Sequence, residues 1–268
     1  MAEPTMPLKD QQQRLRTLMD SHDFVIVGHR GASGLAPENT LQSFQTALDL
    51  QCPMIELDVY AVDAGNNQRE LVVIHDDKVD RTTNGRGRVM HHNLQQLRSL
   101  DAGANQKIPL LEEVIELLRA HNRTKGALAA LNVELKGPDT AAPMAAALAQ
   151  WSDVPVLVSS FNPESLTYFR SLAPCSPVAP LYERRRKHWH TAAKDIDATA
   201  VNLGLKAATS KHIREIRTAG YPVLVYTVNS LAQARRLKLA GATGIFTDRP
   251  DLMRPLLERT NPDETESR

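Results

Sequence analysis

The stretch MIELDVY, residues 54–60, decides how this chain is read. A short apolar run of this kind reads as a strand buried on both faces. A strand of that type has no structural use for Glu56 and Asp58. Side chains alternate across a strand, so residues two apart point to the same face, and these two carboxylates share one. Two acids on one buried face repel each other unless a cation neutralises them.

Three other runs repeat the pattern. VIVGHR (25–30) ends on His29 and Arg30, LVVIHDD (71–77) carries His75, and ALNVELKG (130–137) carries Glu134 and Lys136. Three acids and two histidines at strand ends suggest one shared site. The rest of the chain supplies the frame. Strands are expected near Phe24–Val27, Met54–Tyr60, Leu71–His75, Ala130–Leu135, Val154–Ser159, Val178–Leu181, Ala200–Leu203, Pro222–Thr227 and Gly244–Thr247. Helical periodicity separates most of them, as in NTLQSFQTALDL (39–50), with Leu41, Phe44, Ala47 and Leu48 at helical spacing. Strands alternating with helices imply a parallel sheet.

One gap, AVDAGNNQRE (61–70), is too short and polar for a helix, so the strand ending at His75 reads as a hairpin extension of the strand at 54–60. That leaves eight β/α units, the number that closes a (β/α)8 barrel. The expected architecture is therefore a TIM barrel with one extra hairpin strand. The polar stretch from Asp76 to Lys107 reads as an excursion over the barrel mouth. Active sites of this fold sit at the C-terminal ends of the strands, and His29, Arg30, Glu56, Asp58, Glu134, Lys136, Asn202 and Asp248 all fall there.

The domain is expected at 23–258, with an N-terminal extension at 1–22 and a polar, disordered tail at 259–268. A helix near Leu8–Ser21 carries Leu15, Leu18 and Met19 on one side, either packed on the barrel bottom or loose. The 268 residues carry a formal charge of +1, which shows no bias toward nucleic acid or an anionic membrane. No run is long and apolar enough to span a bilayer, and the first twenty residues lack the apolar core of a secretory signal. A cytoplasmic enzyme is the expectation. Cys52 and Cys175 are outside any metal-ligand spacing and are expected as free thiols. Asn39 is expected to cap the first barrel helix, with Gln42 three residues on.

The residue types define a chemistry. Three carboxylates with room for water suit a divalent cation that takes oxygen ligands, Mg²⁺ or Ca²⁺. Two imidazoles divide proton removal from an attacking oxygen and proton delivery to a leaving one. Arg30 offers a planar fork for phosphate oxygens, and Lys136 adds a second positive charge. This is the electrostatic set that phosphodiester cleavage requires.

The segments GHRGASGLAPENTLQSF, IELDV, VVIHDD, DRTTNGRG, IPLLEEV, NVELKG, LVSSFN, VYTVN and GIFTDRPDLM, in this order from about Val25 to Met253, resemble the glycerophosphodiester phosphodiesterase family. The chain is similar to its compact bacterial cytosolic members. The resemblance implies a TIM barrel and hydrolysis of small-molecule glycerophosphodiesters to sn-glycerol 3-phosphate and an alcohol, through a cyclic phosphate. It places the catalytic histidines at His29 and His75, the metal carboxylates at Glu56, Asp58 and Glu134, and the phosphate contacts at Arg30 and Lys136. Phe161 and Tyr226 end strands where the glycerol pocket would lie; each walls that pocket or packs in the core. The long turn at 61–70 departs from the family's tight one, and either shifts His75 or lengthens a surface hairpin. Rival readings are a lysophospholipase D-like enzyme on the same fold and a non-catalytic glycerophosphodiester-binding barrel.

Overall fold

The computed structural model describes residues 9–257 apart from 67, 126, 127 and 152. Eight parallel strands close on one another: β1 (Val25–Gly28), β2 (Met54–Gly65), β4 (Ala130–Leu135), β5 (Val156–Ser160), β6 (Val178–Tyr182), β7 (Val201–Gly204), β8 (Val223–Tyr226) and β9 (Gly244–Thr247). Closure is made by β1, which pairs with β9 on one side and with β2 on the other, where Val27 lies opposite Met54. The remaining strand, β3 (Gln68–Val73), runs antiparallel to β2. Helices α2 (Leu41–Asp49), α4 (Leu111–Lys125), α5 (Ala141–Leu148), α6 (Pro163–Leu172), α7 (Trp189–Asp195), α8 (Ser210–Thr218), α9 (Leu231–Leu239) and α10 (Arg254–Leu257) follow the strands in turn. Two more lie outside that repeat, α1 (Lys9–Ser21) before the barrel and α3 (Leu94–Ser99) in the excursion.

The alternation along β2 explains why MIELDVY looks uniformly buried. Ile55, Leu57 and Val59 pack outward against Phe44 and Leu48 of α2 and Val114 and Leu118 of α4. Met54, Glu56 and Asp58 take the other face and enter the lumen. The lower lumen is filled by Val25, Val27, Met54, Ala130, Leu157, Ala179, Leu224 and Phe246. Leu15, Leu18 and Met19 of α1 join that cluster and plug the barrel where the strands begin. Gln11 secures the helix there, donating to the Trp151 carbonyl at 3.0 Å and accepting from the Val156 amide at 3.1 Å. Of the two readings open for this helix, the packed one holds.

The turn at 61–70 lengthens a hairpin. β2 and β3 continue their ladder past Val62, with a register shift between Asp63 and Gly65. The excursion from Asp76 packs on this hairpin, where Val79, Val89, Leu97 and Ile108 cluster with Tyr60, Val62, Val72 and Ile74. It returns Asp76 and Arg81 to the rim of the mouth.

One helix cap differs from expectation. The N-cap of α2 is Thr40, whose backbone is extended (φ −116, ψ 156) and whose hydroxyl accepts from the Ser43 amide at 3.2 Å. Asn39 has φ +57, a left-handed conformation that a capping residue does not adopt. Asparagine tolerates that region, and here it turns the side chain toward the lumen. The tail at 259–268 and the first eight residues lie outside the described residues.

Candidate active site

His29 leaves the end of β1 at a sharp turn in which Arg30 (φ +52) and Gly31 (φ +80) are both left-handed. Gly31 permits this, because a Cβ there would lie 2.5 Å from the Ser43 backbone carbon. The turn aims the Arg30 amide at Glu56, which accepts from it at 2.8 Å. Across the β2–β4 ladder Asp58 lies opposite Glu134, and Glu56 opposite Asn132. This register stacks the three acids on the lumen wall, and one oxygen from each of Glu56, Asp58 and Glu134 lies within 4.8 Å of the others.

Two cations brace the cluster. The Lys136 Nζ lies 3.3 Å from Asp58 Oδ1 and also contacts Glu134. The Arg30 Nε lies 3.5 Å from Asp58 Oδ2, and its Nη1 donates to Glu38 at 2.8 Å. Asn39 completes the cradle, its Nδ2 donating to Asp58 Oδ2 at 3.0 Å.

Three carboxylates against two cations leave the cluster under-neutralised. Burial, then the charge of Asp58, pushes Glu56 up to about 7 and Glu134 up to about 8. Burial would raise Asp58 as well, but Lys136, His75, Arg30 and Asn39 overcome it and hold that carboxyl below its ordinary value. Asp58 Oδ1 is buried without a hydrogen-bond partner. A compact set of buried carboxylate oxygens, one of them with no hydrogen bond and only the Lys136 charge beside it, fits a hard divalent cation.

Each histidine is tethered through Nδ1 to a carboxylate. His29 meets Asp248 at 2.7 Å, and Asp248 is held by Ser33 at 2.8 Å and Asn229 at 2.6 Å. His75 meets Asp76 at 2.6 Å, and Arg81 clasps Asp76 at 2.6 and 3.1 Å. Arg81 also bonds both oxygens of Glu38, so His75 is linked to Arg30 through Asp76, Arg81 and Glu38. The two imidazoles are driven apart electrically. Burial opposes charge on His29, but the Asp248 bond and the Glu56 carboxylate outweigh it and raise its pKa. On His75 burial prevails, with Lys136 adding repulsion, and the pKa falls.

A cavity of about 160 Å³ opens among His29, Arg30, Glu56, His75, Glu134, Phe161 and Tyr226. Phe161 and Tyr226 meet edge-to-face at 5.8 Å and form its wall. Asp58 is 1% exposed and lies behind the two glutamates, while Lys136 lines an adjoining cleft that shares His75. The nine residues to which the sequence gives a catalytic, metal or substrate role therefore lie together at the C-terminal ends of the strands.

Others were not foreseen. The sequence offers Asn39 as a cap, puts Asp248 at the mouth without a role, and marks no role for Asp76, Arg81 or Asn229. Asp76 adjoins His75 in the chain and was the one with a local signal. Asn229 and Arg81 reach the site from loops, which no periodicity marks.

Fold and mouth together define a (β/α)8-barrel protein with two carboxylate-tethered histidines and a buried cluster of three acids at the C-terminal ends of its strands. Comparison with known proteins narrows this. The glycerophosphoryl diester phosphodiesterase family model matches residues 29–252, and the chain belongs to that family. The glycerophosphodiester phosphodiesterase of Bacillus subtilis (strain 168) is 34% identical over 265 residues, spanning 88% of this chain and 87% of the relative. A solved Oleispira antarctica phosphodiesterase, in complex with the product sn-glycerol-3-phosphate, superposes with a TM-score of 0.79 at 30% identity, covering 87% of this chain and 96% of that one. The glycerophosphodiester phosphodiesterase of Agrobacterium tumefaciens superposes with a TM-score of 0.71 at 29% identity, covering 87% and 99%.

Proposed function

We propose that this protein hydrolyses small-molecule glycerophosphodiesters to sn-glycerol 3-phosphate and an alcohol, using His29 and His75 as its acid–base pair. The observation that carries this reading is one small cavity lined by two carboxylate-tethered histidines and by Glu56 and Glu134, with Asp58 clustered against those glutamates, in a member of this family. Glu56, Asp58 and Glu134 would hold Mg²⁺ or Ca²⁺, which when bound polarises a phosphate oxygen and neutralises the acids.

Arg30 and Lys136 supply the positive charge that steadies the phosphoryl oxygens as negative charge builds on them. One histidine removes the proton from the glycerol 2-hydroxyl as it attacks phosphorus, and the other protonates the departing alcohol. The pair then exchanges roles as water opens the cyclic phosphate. Asp248 and Asp76 fix each ring by its Nδ1, leaving each Nε2 as the nitrogen that handles protons. Phe161 and Tyr226 wall the glycerol carbons.

We place the enzyme in the cytoplasm, which is consistent with unpaired Cys52 and Cys175. Burial pushes the Cys52 thiol up to about 12, so it stays unreactive. Among the described residues no helix is long and apolar enough to cross a membrane. We assign the catalytic domain to residues 23–258, with the extension at 1–22 contributing the helix that plugs the barrel.

The test measures sn-glycerol 3-phosphate release from glycerophosphocholine, glycerophosphoethanolamine and glycerophosphoglycerol after EDTA treatment and again with each metal restored. Activity is expected to vanish with EDTA and return with metal. His29→Ala and His75→Ala are expected to lose about 10²–10⁴-fold in kcat. Near-normal turnover in either variant, or in EDTA, overturns the mechanism.

A further inference from the structure

The floor of the mouth is polar where a barrel interior is ordinarily apolar. Asn132 sits two residues before Glu134 on the lumen face of β4, and Ser159 sits on the neighbouring strand β5; both line the cavity. Each is essentially buried. The Asn132 Nδ2 donates to Ser159 Oγ at 2.9 Å, but Asn132 Oδ1 has no partner. Ser159 accepts that bond, and among the described residues its own O–H finds no acceptor. On β7, Asn202 follows the lumen residue Ala200 by two and so shares its face, with both amide atoms buried and unbonded. Buried amides without partners are rare, because the desolvation of each is uncompensated unless an occupant satisfies it.

The pairing on the floor suits one type of group. A free carbonyl oxygen beside a free hydroxyl proton is one acceptor and one donor, the complement of a single alcohol O–H. A glycerol 3-phosphodiester has two free hydroxyls. If the secondary one attacks phosphorus, as proposed above, the terminal one enters the cavity and needs both a donor and an acceptor. We propose that Asn132 and Ser159 form a hydroxyl-reading subsite for the terminal hydroxymethyl of the glycerol moiety, confining the enzyme to substrates in which that hydroxyl is free. An acyl ester at that position brings no proton for Asn132.

This inference rests on the proposed phosphodiesterase reading, and the experiment separates the two. Wild-type enzyme is assayed on glycerophosphocholine, on its 1-deoxy analogue, which keeps the secondary hydroxyl but lacks the terminal one, and on 1-acyl lysophosphatidylcholine. A site built to bond a hydroxyl discriminates strongly against an analogue without it, so kcat/KM is expected to fall at least about 30-fold for the deoxy substrate. No turnover is expected for the acylated one. In Asn132→Ala and in Ser159→Ala the parent-to-deoxy ratio is expected to collapse to within about 5-fold, the loss falling on the parent.

A wild-type ratio near one, or efficient turnover of the acylated substrate, refutes the subsite while leaving the phosphodiesterase reading intact. An equal loss on both substrates in the variants means that the floor serves only structure or ordered water, and also refutes it. Absence of turnover on every glycerophosphodiester removes the phosphodiesterase reading and the subsite with it. The wild-type comparison needs no variant to fold.

Discussion

Glu56 is the residue whose environment is least comfortable. It is fully buried beside Asp58, its pKa stands at about 7, and its partners are the Arg30 amide and the field of His29 and Arg30. In the unfolded chain a glutamate titrates near 4.3, so between about pH 4 and pH 7 the folded state binds the extra proton. Stability from this group is therefore fully present below about pH 4 and is lost as pH rises through 7. Glu56→Gln keeps an oxygen for the Arg30 amide and removes the charge. In EDTA at pH 8.5 the variant is expected to be more stable than wild type, on the order of 2 kcal/mol, with the gap closing toward pH 4. Denaturant melts at the two pH values measure it; an equal gap at both would show that repulsion within the cluster is not the cause. The variant is expected to be inactive, the trade often seen where a site is kept strained for function. At this scale the sequence was informative: acids and imidazoles at the ends of apolar runs have no structural use, so their chemistry showed. Asn39 was the exception, because asparagine before a helix has two physical uses and only the backbone angle at that position separates them.

At the scale of elements, β2, β4 and the β1–α2 turn do most of the placing. The β2–β4 register sets Asp58 against Glu134, and the turn delivers His29, Arg30 and Asn39 to the same wall. Thr40 and Asn39 are neighbours with separable tasks. Thr40→Ala is expected to cost about 1 kcal/mol of stability through loss of the α2 cap, with metal binding little changed. Asn39→Ala removes a donor from Asp58 and is expected to weaken divalent-ion affinity about tenfold, the usual scale for a group that orients a metal ligand. Calorimetric titration of Mg²⁺ or Ca²⁺ alongside thermal melts distinguishes them; the reverse pattern would restore Asn39 as the cap. The elements themselves were largely visible in the sequence: seven of the nine strands coincide with their apolar runs within two residues, while β2 and β3 extend into the polar turn at 61–70 and β3 ends before His75. The excursion was harder to read. Its apolar residues, Val79, Val89, Leu97 and Ile108, are spread over a polar stretch and become a cluster only against the protruding hairpin.

Over the whole molecule, chemistry and support lie at opposite ends of the barrel. The acids and histidines occupy the ends of the strands, and α1 closes their beginnings with Leu15, Leu18 and Met19. Leu15 is 0% exposed, and Leu15→Ala is expected to destabilise the protein by about 2–5 kcal/mol, as truncations of buried leucine do. Below its lowered melting temperature the variant is expected to keep its kcat within about twofold, because stability and catalysis are segregated to the two faces of this fold. A large fall in kcat with the fold intact would show that the plug reaches the mouth. What the sequence determined alone was the set of strands, their number and the residue types at their ends, because burial on both faces and the two-residue alternation are local properties of the chain. Which groups touch was decided only by tertiary structure. The tethers Asp248 to His29 and Arg81 to Asp76, the Asn39 bond to Asp58 and the open hydrogen-bonding positions of Asn132 and Asn202 depend on barrel closure and strand register, which bring together residues up to 219 positions apart.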